Sequence, residues 1–142
     1  SKMGKNIEEK FAHKYYDEIG LGIDFTARDI QSKLKAKGLP WDLAKGFDGA
    51  AAVGDWISID NFPNLHDISF RTVLNGETVQ NGNSSLMMFN IEKIISFVSS
   101  YFTLQVGDLL YTGTPAGVGA LKAGDVLEGY IGDKHLLKTV VK

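Results

Sequence analysis

Hydrophobic residues in the first part of the chain repeat with the period of a helix. Apolar side chains recur every four positions, at Ile7, Phe11, Tyr15 and Ile19. Asn6 precedes this run and Glu9 follows three residues later, which is the form of a capping box, and Gly20 ends the run. The pattern predicts an amphipathic helix that begins after Asn6 and ends at Gly20.

A short strand and a second helix are predicted next. Residues 21–25 form a mainly apolar run of the length of a strand. Thr26, with Asp29 three residues later, repeats the capping pattern. The helix that begins there is expected to run through Leu34 and to stop at Gly38.

After Pro40 the hydrophobic period changes from that of helices to that of strands. A strand is predicted at residues 55–59. Residues 68–74 alternate in character, and the Asn75-Gly76 pair directly after them is the strongest short signal for a β-hairpin. Asn90 is placed to cap a helix. The apolar stripe of that helix comprises Ile91, Ile94, Ile95, Val98 and Phe102.

Strands are expected to dominate the last third of the chain. They are predicted at residues 109–112, Val126–Ile131 and 136–141, with a turn at Gly132-Asp133 between the last two. Internal repeats, linkers and low-complexity segments are absent from the sequence. Together these elements predict an α+β fold that is mostly β.

Composition excludes several classes of function. The chain has 142 residues, 44% of them hydrophobic, which is enough for one domain with a core of its own. Its net charge of -2 argues against nucleic-acid and membrane-surface partners, since phosphates are met by clustered cationic charge. Without cysteine there is no disulfide framework, and no apolar run reaches the ~18 residues of a membrane span. We therefore expect a soluble, cytoplasmic protein.

Glycine and small hydroxyl residues are crowded together at residues 111–119, YTGTPAGVG. Such a backbone can approach an anionic ligand closely and turn its N–H groups toward it. This chemistry predicts an anion-binding site. From the residues alone, a strand-ending turn that needs Gly113 and Pro115 only for its shape is an equally good interpretation.

Five ordered segments give the chain a resemblance to the fumarylacetoacetate hydrolase family, a group of divalent-metal enzymes. The segments are GIDFTARDIQ (22–31), LAKGFDG (43–49), VLNGETVQNGNSS (73–85), LQVGDLLYTGTPAGVG (104–119) and LKAGDVLEGYIG (121–132). The resemblance implies a mixed β-sandwich roll with a few peripheral helices, which usually forms a homodimer. It also implies that residues 1–142 are the C-terminal part of the catalytic domain, without the strand that carries a Glu-x-Glu metal pair and the loop that carries a catalytic histidine.

The resemblance assigns a metal-binding role to Asp24. Mg²⁺ takes about six oxygen ligands in octahedral geometry, and one carboxylate does not supply them. Residues 1–142 alone are therefore expected to bind Mg²⁺, or Mn²⁺ or Ca²⁺ in its place, weakly or not at all, and to be inactive. From spacing alone, Asp24 is a cap or turn residue before the helix.

The other site residues also follow from the resemblance. Lys45 is the expected electrostatic catalyst, Gly113 and Thr114 bind a substrate carboxylate or carbonyl together with Lys45, and Gln31 contacts substrate. Glu128 is a weaker candidate, as the carboxylate that orients a catalytic histidine. Without the resemblance, Lys45 is interpreted as an ordinary surface lysine, and solvent-facing positions are equally good interpretations of Gln31 and Glu128.

The function that the resemblance implies is catabolic processing of 2-oxo or β-diketo acids. Substrates would resemble acylpyruvates, fumarylacetoacetate or hydroxyhepta-dienedioate, and a metal-stabilised enolate is common to their hydrolysis, isomerisation and decarboxylation. The sequence does not distinguish among these three reactions. The alternative is a non-catalytic binding or assembly module that has kept the scaffold.

Overall fold

Six strands in two antiparallel sheets form most of the structure, a computed structural model that describes all 142 residues. The strands are β1 (Glu18–Asp24), β2 (Ala51–Ser58), β3 (Ser69–Leu74), β4 (Glu77–Asn83), β5 (Val126–Ile131) and β6 (Lys134–Val140). The α-helices are α1 (Arg28–Ala36), α2 (Asp42–Lys45) and α3 (Ile91–Tyr101). Short 3₁₀ helices lie at Glu9–Lys14, Ile59–Asn61 and Ser84–Leu86. None of the helices combines the length and the apolar character that crossing a lipid bilayer requires.

The larger sheet has the strand order β4-β3-β5-β6, and β1 pairs with β2 in the smaller one. The predicted hairpin joins β3 to β4, and its two turn residues have positive φ angles, 50° at Asn75 and 89° at Gly76. These are the backbone conformations that a tight hairpin turn demands and that asparagine and glycine adopt readily. The predicted turn at Gly132-Asp133 likewise joins β5 to β6.

The two sheets meet where β2 passes over β6. Gly54 lies so close to the backbone carbonyl of Leu136 that there is no room for a Cβ atom at this position. Leu127 and Leu137 are both buried in the same region. The mixed α+β fold with sheets in contact confirms the predicted fold class.

A second, smaller core lies between α3 and the N-terminal segment. Ile7, Ala12 and Ile95 are buried there against one another. The side chain of Asn90 accepts a hydrogen bond of 2.7 Å from the backbone N–H of Lys93, which confirms the predicted N-cap of α3.

The prediction of a helix from residue 7 to residue 19 is wrong. Only a six-residue 3₁₀ helix forms, and the chain is already in β1 at Glu18, paired with Ser58. Asn6 has a φ of 53° and is not an N-cap. Its backbone N–H donates to Ser99 O, and the backbone N–H of Ile7 donates to Ser99 Oγ. These hydrogen bonds to α3 hold the segment in a non-helical conformation.

The boundaries of three strands differ from prediction, among them β6, which begins two residues before the predicted residue 136. Strand β2 begins four residues before the predicted 55–59 strand and β1 begins three residues before residue 21. Helix α1 forms as expected, but its N-cap is Ala27, without a side-chain hydrogen bond, and the predicted cap at Thr26 is wrong.

The predicted strand at residues 109–112 does not form. Residues 109–121 make no backbone–backbone hydrogen bond with any part of the chain. An apolar run becomes a strand only where a neighbouring strand pairs with it, and no strand in residues 1–142 pairs with this one.

Candidate active site

Asp24 and Lys45 are in direct contact at the end of β1. Lys45 Nζ donates to Asp24 Oδ2 over 2.6 Å and to Thr26 Oγ1 over 2.7 Å. Asp24 is the last residue of β1, and Lys45 is the last residue of the single-turn helix α2. The two residues that the resemblance assigned to metal binding and to catalysis are thus brought together.

Two backbone hydrogen bonds fix the segment that carries Lys45 against the end of β1. Phe25 N–H donates to Ala50 O over 2.8 Å, and Ala27 N–H donates to Ala44 O over 3.0 Å. Ala44 is fully buried, so the residue before Lys45 cannot move away from this contact. These two hydrogen bonds and the burial of Ala44 therefore position Lys45.

The ion pair is only partly shielded from water. One third of the Lys45 side chain and half of the Asp24 side chain are exposed. A pair in that setting contributes about 0–1 kcal/mol to stability. An ammonium group has three N–H donors, of which Lys45 uses two, so one remains for a ligand.

Tyr111 connects the glycine-rich segment to β1 and β2. Its hydroxyl donates to Ala52 O over 3.0 Å, and its ring packs on Gly22, where a Cβ atom would lie 2.6 Å from the ring. Burial raises the pKa of Tyr111, and the negative charge of Asp24 raises this pKa further. The hydroxyl consequently stays protonated and remains a donor.

Thr114 lies three residues further along the same segment. Its Oγ1 accepts a hydrogen bond of 2.8 Å from Nε2 of Gln80 on β4. Gly113 has a φ of 115°, a backbone conformation that side chains rarely adopt, and this turns the chain toward β4. Thr114 does not touch Asp24 or Lys45, but an extended chain places its Cα within about 11 Å of that of Tyr111.

Gln31 and Glu128 lie apart from the Asp24–Lys45 contact. Gln31 Oε1 accepts from Arg28 on its own helix over 3.2 Å. Glu128 lies 3.4 Å from His135 and 3.5 Å from Lys138, across the β5–β6 pair. The neighbouring Gly129 faces Leu21 of β1, so the alternation of a strand directs Glu128 to the opposite face of the sheet.

The chain's own residues form only part of a metal site. Asp24 suits a hard cation, because such ions prefer carboxylate oxygens. Its side chain is half exposed at the end of a strand and is therefore accessible. Residues 1–142 contain no group of three or more histidine, aspartate or glutamate side chains that could enclose an ion. Asp24 therefore fits as one ligand, and these residues do not supply a complete set.

A separate cavity lies at the N-terminal end of α3. It has a volume of about 540 Å³ and six polar lining residues, among them His13, His66 and Glu92. Glu92 accepts from the hydroxyl of Tyr16 over 2.6 Å and lies 3.8 Å from His66. None of these groups contacts the Asp24–Lys45 pair.

Sequence reasoning missed three residues that shape the candidate site: Thr26, Tyr111 and Gln80. Thr26 was expected to cap α1, although its place two residues after Asp24 allows its hydroxyl to reach Lys45 instead. Tyr111 and Gln80 make contacts across 59 and 34 residues of sequence, for which spacing gives no signal.

The family model for the fumarylacetoacetate hydrolase C-terminal domain matches residues 1–142. This chain belongs to the fumarylacetoacetate hydrolase family. The mitochondrial oxaloacetate tautomerase of Caenorhabditis elegans is 38% identical over 134 residues, which is 94% of this chain and 63% of that protein. The mitochondrial oxaloacetate decarboxylase of Dictyostelium discoideum is 39% identical over 127 residues, 89% of this chain and 58% of that protein.

A solved structure of a fumarylacetoacetate hydrolase family relative has the same fold. The fumarylpyruvate hydrolase of Pseudomonas aeruginosa, in complex with Mn²⁺ and pyruvate, superposes with a TM-score of 0.91 at 30% identity. The match covers 99% of this chain and 60% of that one. The chain thus spans less than two thirds of the length of these relatives.

The prediction of a cytoplasmic protein is contradicted by these comparisons. Both curated relatives carry a mitochondrial location in their names, as do the relatives from rat and fission yeast. Composition and the lack of cysteine report on chemistry, and neither encodes the compartment in which a protein works.

Proposed function

We propose that this chain is part of a divalent-metal-dependent enzyme that acts on a 2-oxo acid, with oxaloacetate and acylpyruvates as the substrates to test first. The observation that carries this proposal is the 2.6 Å contact of Lys45 with Asp24 at the end of β1. It brings a cation beside a carboxylate suited to a metal ion, next to a glycine-rich segment. Relatives that act on oxaloacetate and fumarylpyruvate support the substrate class.

Each of the site residues has a separate role in this proposal. Asp24 contributes one ligand to Mg²⁺ or Mn²⁺ in the whole protein, and the bound cation supplies Lewis-acid polarisation of the substrate's 2-oxo group. Lys45 directs its third N–H at the oxygen on which negative charge develops. At about 4 Å and an effective dielectric near 20, such a charge is worth on the order of 4 kcal/mol.

The glycine-rich segment holds the other end of the substrate. The hydroxyl of Thr114 and the backbone N–H groups near Gly113 are free to donate to a carboxylate, since no backbone N–H of residues 109–121 donates a hydrogen bond and Thr114 Oγ1 only accepts one. Gln31 and Glu128 have weaker support, because neither contacts Asp24, Lys45 or Tyr111.

The test is an assay of the whole protein with oxaloacetate and with an acylpyruvate, with Mn²⁺ and after its removal with EDTA. Keto–enol conversion and decarboxylation of oxaloacetate are followed separately from cleavage of the acylpyruvate, which distinguishes the three reaction types. Turnover that requires the metal and falls in the Lys45→Ala variant supports the proposal. Binding of a 2-oxo acid without turnover in any assay would instead favour a non-catalytic module.

We also propose that the protein is a homodimer. Phe97 and Tyr101 pack against each other on the outer face of α3, with ring centroids 5.4 Å apart and ring planes inclined by 58°, and about two thirds of each residue is exposed. Paired aromatic rings of this kind are typical of the apolar centre of protein interfaces. Light scattering of the whole protein after gel filtration tests the oligomeric state, and a monomer across micromolar concentrations would contradict it.

A further inference from the structure

Gln80 lies on β4 with its side-chain amide directed at the glycine-rich segment. Its Nε2 is 2.8 Å from Thr114 Oγ1 and 3.1 Å from the backbone oxygen of Pro115. The packing around it is tight, since a Cβ atom on Gly117 would lie 3.1 Å from Gln80 Cγ. The amide is therefore held between a strand and the turn that it contacts.

The partners of this amide determine its orientation. A carbonyl oxygen such as that of Pro115 can only accept, so the NH₂ group of Gln80 must face it. The same nitrogen carries a second hydrogen, which is donated to Thr114. Because Thr114 Oγ1 accepts from Gln80, its own hydrogen is directed away from β4 and remains for another acceptor.

Few other hydrogen bonds hold this segment. The hydrogen bonds of residues 109–121 are all made by side chains: two from Gln80, to Thr114 and Pro115, and one from Tyr111 to Ala52. Tyr111 fixes the start of the segment beside β1. Gln80 makes the only hydrogen bonds to the turn that carries Thr114.

We propose that Gln80 is a positioning residue that makes the Thr114 hydroxyl a dedicated donor to the carboxylate of the 2-oxo acid. This rests on the proposed function of the site. Gln80 does not touch the substrate. It sets the direction of a hydrogen bond that Thr114 makes, and it holds the turn at the distance that this bond requires.

The experiment compares Gln80→Glu, Gln80→Met and Thr114→Val in the whole, metal-loaded enzyme. A carboxylate at position 80 can only accept, so it takes the Thr114 hydrogen away from the substrate. We expect Gln80→Glu to raise KM roughly 10- to 100-fold, as for a lost hydrogen bond to a charged group, with little change in kcat. The matched control is Gln105→Glu, the same chemical change at an exposed glutamine whose side chain makes no hydrogen bond.

A second measurement separates positioning from structural damage. The inhibition constants of pyruvate and of its amide are compared, since the amide lacks the carboxylate charge. The unchanged enzyme should prefer pyruvate, and both Gln80 variants should lose most of that preference, whatever their melting temperatures. Gln80→Met keeps this test available where Gln80→Glu does not fold.

A double-mutant cycle decides between the possible outcomes. If Gln80 acts through Thr114, Gln80→Glu adds nothing to KM in the Thr114→Val background. Two outcomes would overturn the role of Gln80 even if Thr114→Val raises KM. One is that the effects of the two substitutions on KM are additive, and the other is that the Gln80→Glu enzyme keeps its KM and its preference for pyruvate. A Thr114→Val enzyme with unchanged KM would overturn the substrate contact of Thr114, and with it this inference, but metal-dependent turnover would still stand.

Discussion

Lys45 Nζ lies 2.6 Å from Asp24 Oδ2, although 21 residues separate them in sequence. The contact joins the end of β1 to the end of α2, and both side chains remain accessible from solvent. A partly exposed pair of this kind stabilises a fold by about 1 kcal/mol at most. Its value to the protein is therefore expected in chemistry and not in stability.

Replacing Lys45 with alanine in the whole, metal-loaded enzyme should lower kcat by about 10²- to 10³-fold, the usual cost of one donor to a developing oxyanion. The melting temperature should change little. Lys37→Ala is the control, an exposed lysine without an ion pair, and should leave kcat unaltered. Normal turnover in Lys45→Ala would remove this residue from the mechanism.

Replacing Asp24 with asparagine should weaken Mn²⁺ binding by the whole protein. The loss should be at least the 10–100-fold that follows from changing a residue that only supports a metal ligand. Isothermal titration of the apo protein measures it, with the exposed Asp29→Asn on α1 as the control. Equal affinities of the two variants would show that Asp24 is not a ligand.

The pKa of Tyr111 should respond to the charge of Asp24. Burial is the larger cause of its upward shift and Asp24 the smaller, so Asp24→Asn should move the pKa of Tyr111 down while leaving it above the ordinary value of about 10. Alkaline ultraviolet titration of the two proteins, with Tyr111→Phe identifying the signal, measures this shift. An unchanged titration would mean that Asp24 and Tyr111 do not interact.

Amide hydrogen exchange should show where the substrate binds. The amides of residues 109–121 have no carbonyl partners and should exchange rapidly in the free protein, unlike those of β3. Pyruvate with Mn²⁺ should slow exchange in residues 113–117 and leave β3 unaffected, whereas Mn²⁺ alone should not. Protection confined to another part of the chain would place the carboxylate elsewhere.

Asn75 should matter more to stability than its exposed position suggests. Its Nδ2 donates to Asp125 Oδ1 and its Oδ1 accepts from Val126 N–H, both over 2.9 Å. Asn75→Ala loses both hydrogen bonds. It also places at positive φ a residue without the polar side chain that lets asparagine adopt this conformation. The free energy of unfolding should fall by a combined amount on the order of 2–4 kcal/mol. Asn75→Gly loses only the bonds, and Asn81→Ala, which has none, is the control.

The stabilising effect of the hydrogen bond between Asn75 and Asp125 should depend on pH. Asn75 is the main cause, and the backbone N–H of Lys122 the next, of the lowered pKa of Asp125. A carboxyl whose pKa is lower in the folded state stabilises fully above its unfolded pKa, roughly 4, and loses this contribution as pH falls through the folded value. Urea titrations should therefore show that the difference in the free energy of unfolding between the unchanged protein and Asn75→Gly becomes smaller below about pH 4. A constant difference would contradict this coupling.

Local signals predicted the elements whose residues are neighbours in sequence. The Asn75-Gly76 hairpin, the α3 helix capped by Asn90, and β5 all follow from turn chemistry, capping and alternation within a dozen residues. In the site, resemblance predicted that Asp24 and Lys45 belong together, and the fold brings them into contact.

Elements that depend on distant partners could not be predicted in this way. The four-residue spacing from Ile7 to Ile19 is that of a helix, but the pairing of Glu18 with Ser58 outweighs it. Residues 109–112 have the composition of a strand without a partner to pair with. The roles of Gln80 and Tyr111 could not be predicted because they arise only when the chain is folded.

The close approach of Gly54 to Leu136 has a consequence for Asp24, three strand positions away along the β1–β2 ladder. At that crossing the spacing of the smaller sheet from the larger one is determined by main-chain atoms, without a side chain that could adjust. We expect a side chain added at Gly54 to displace β2, and with it β1, which pairs with β2 and ends at Asp24. A substitution at Gly54 should therefore disturb the proposed site, although Gly54 itself is not part of that site.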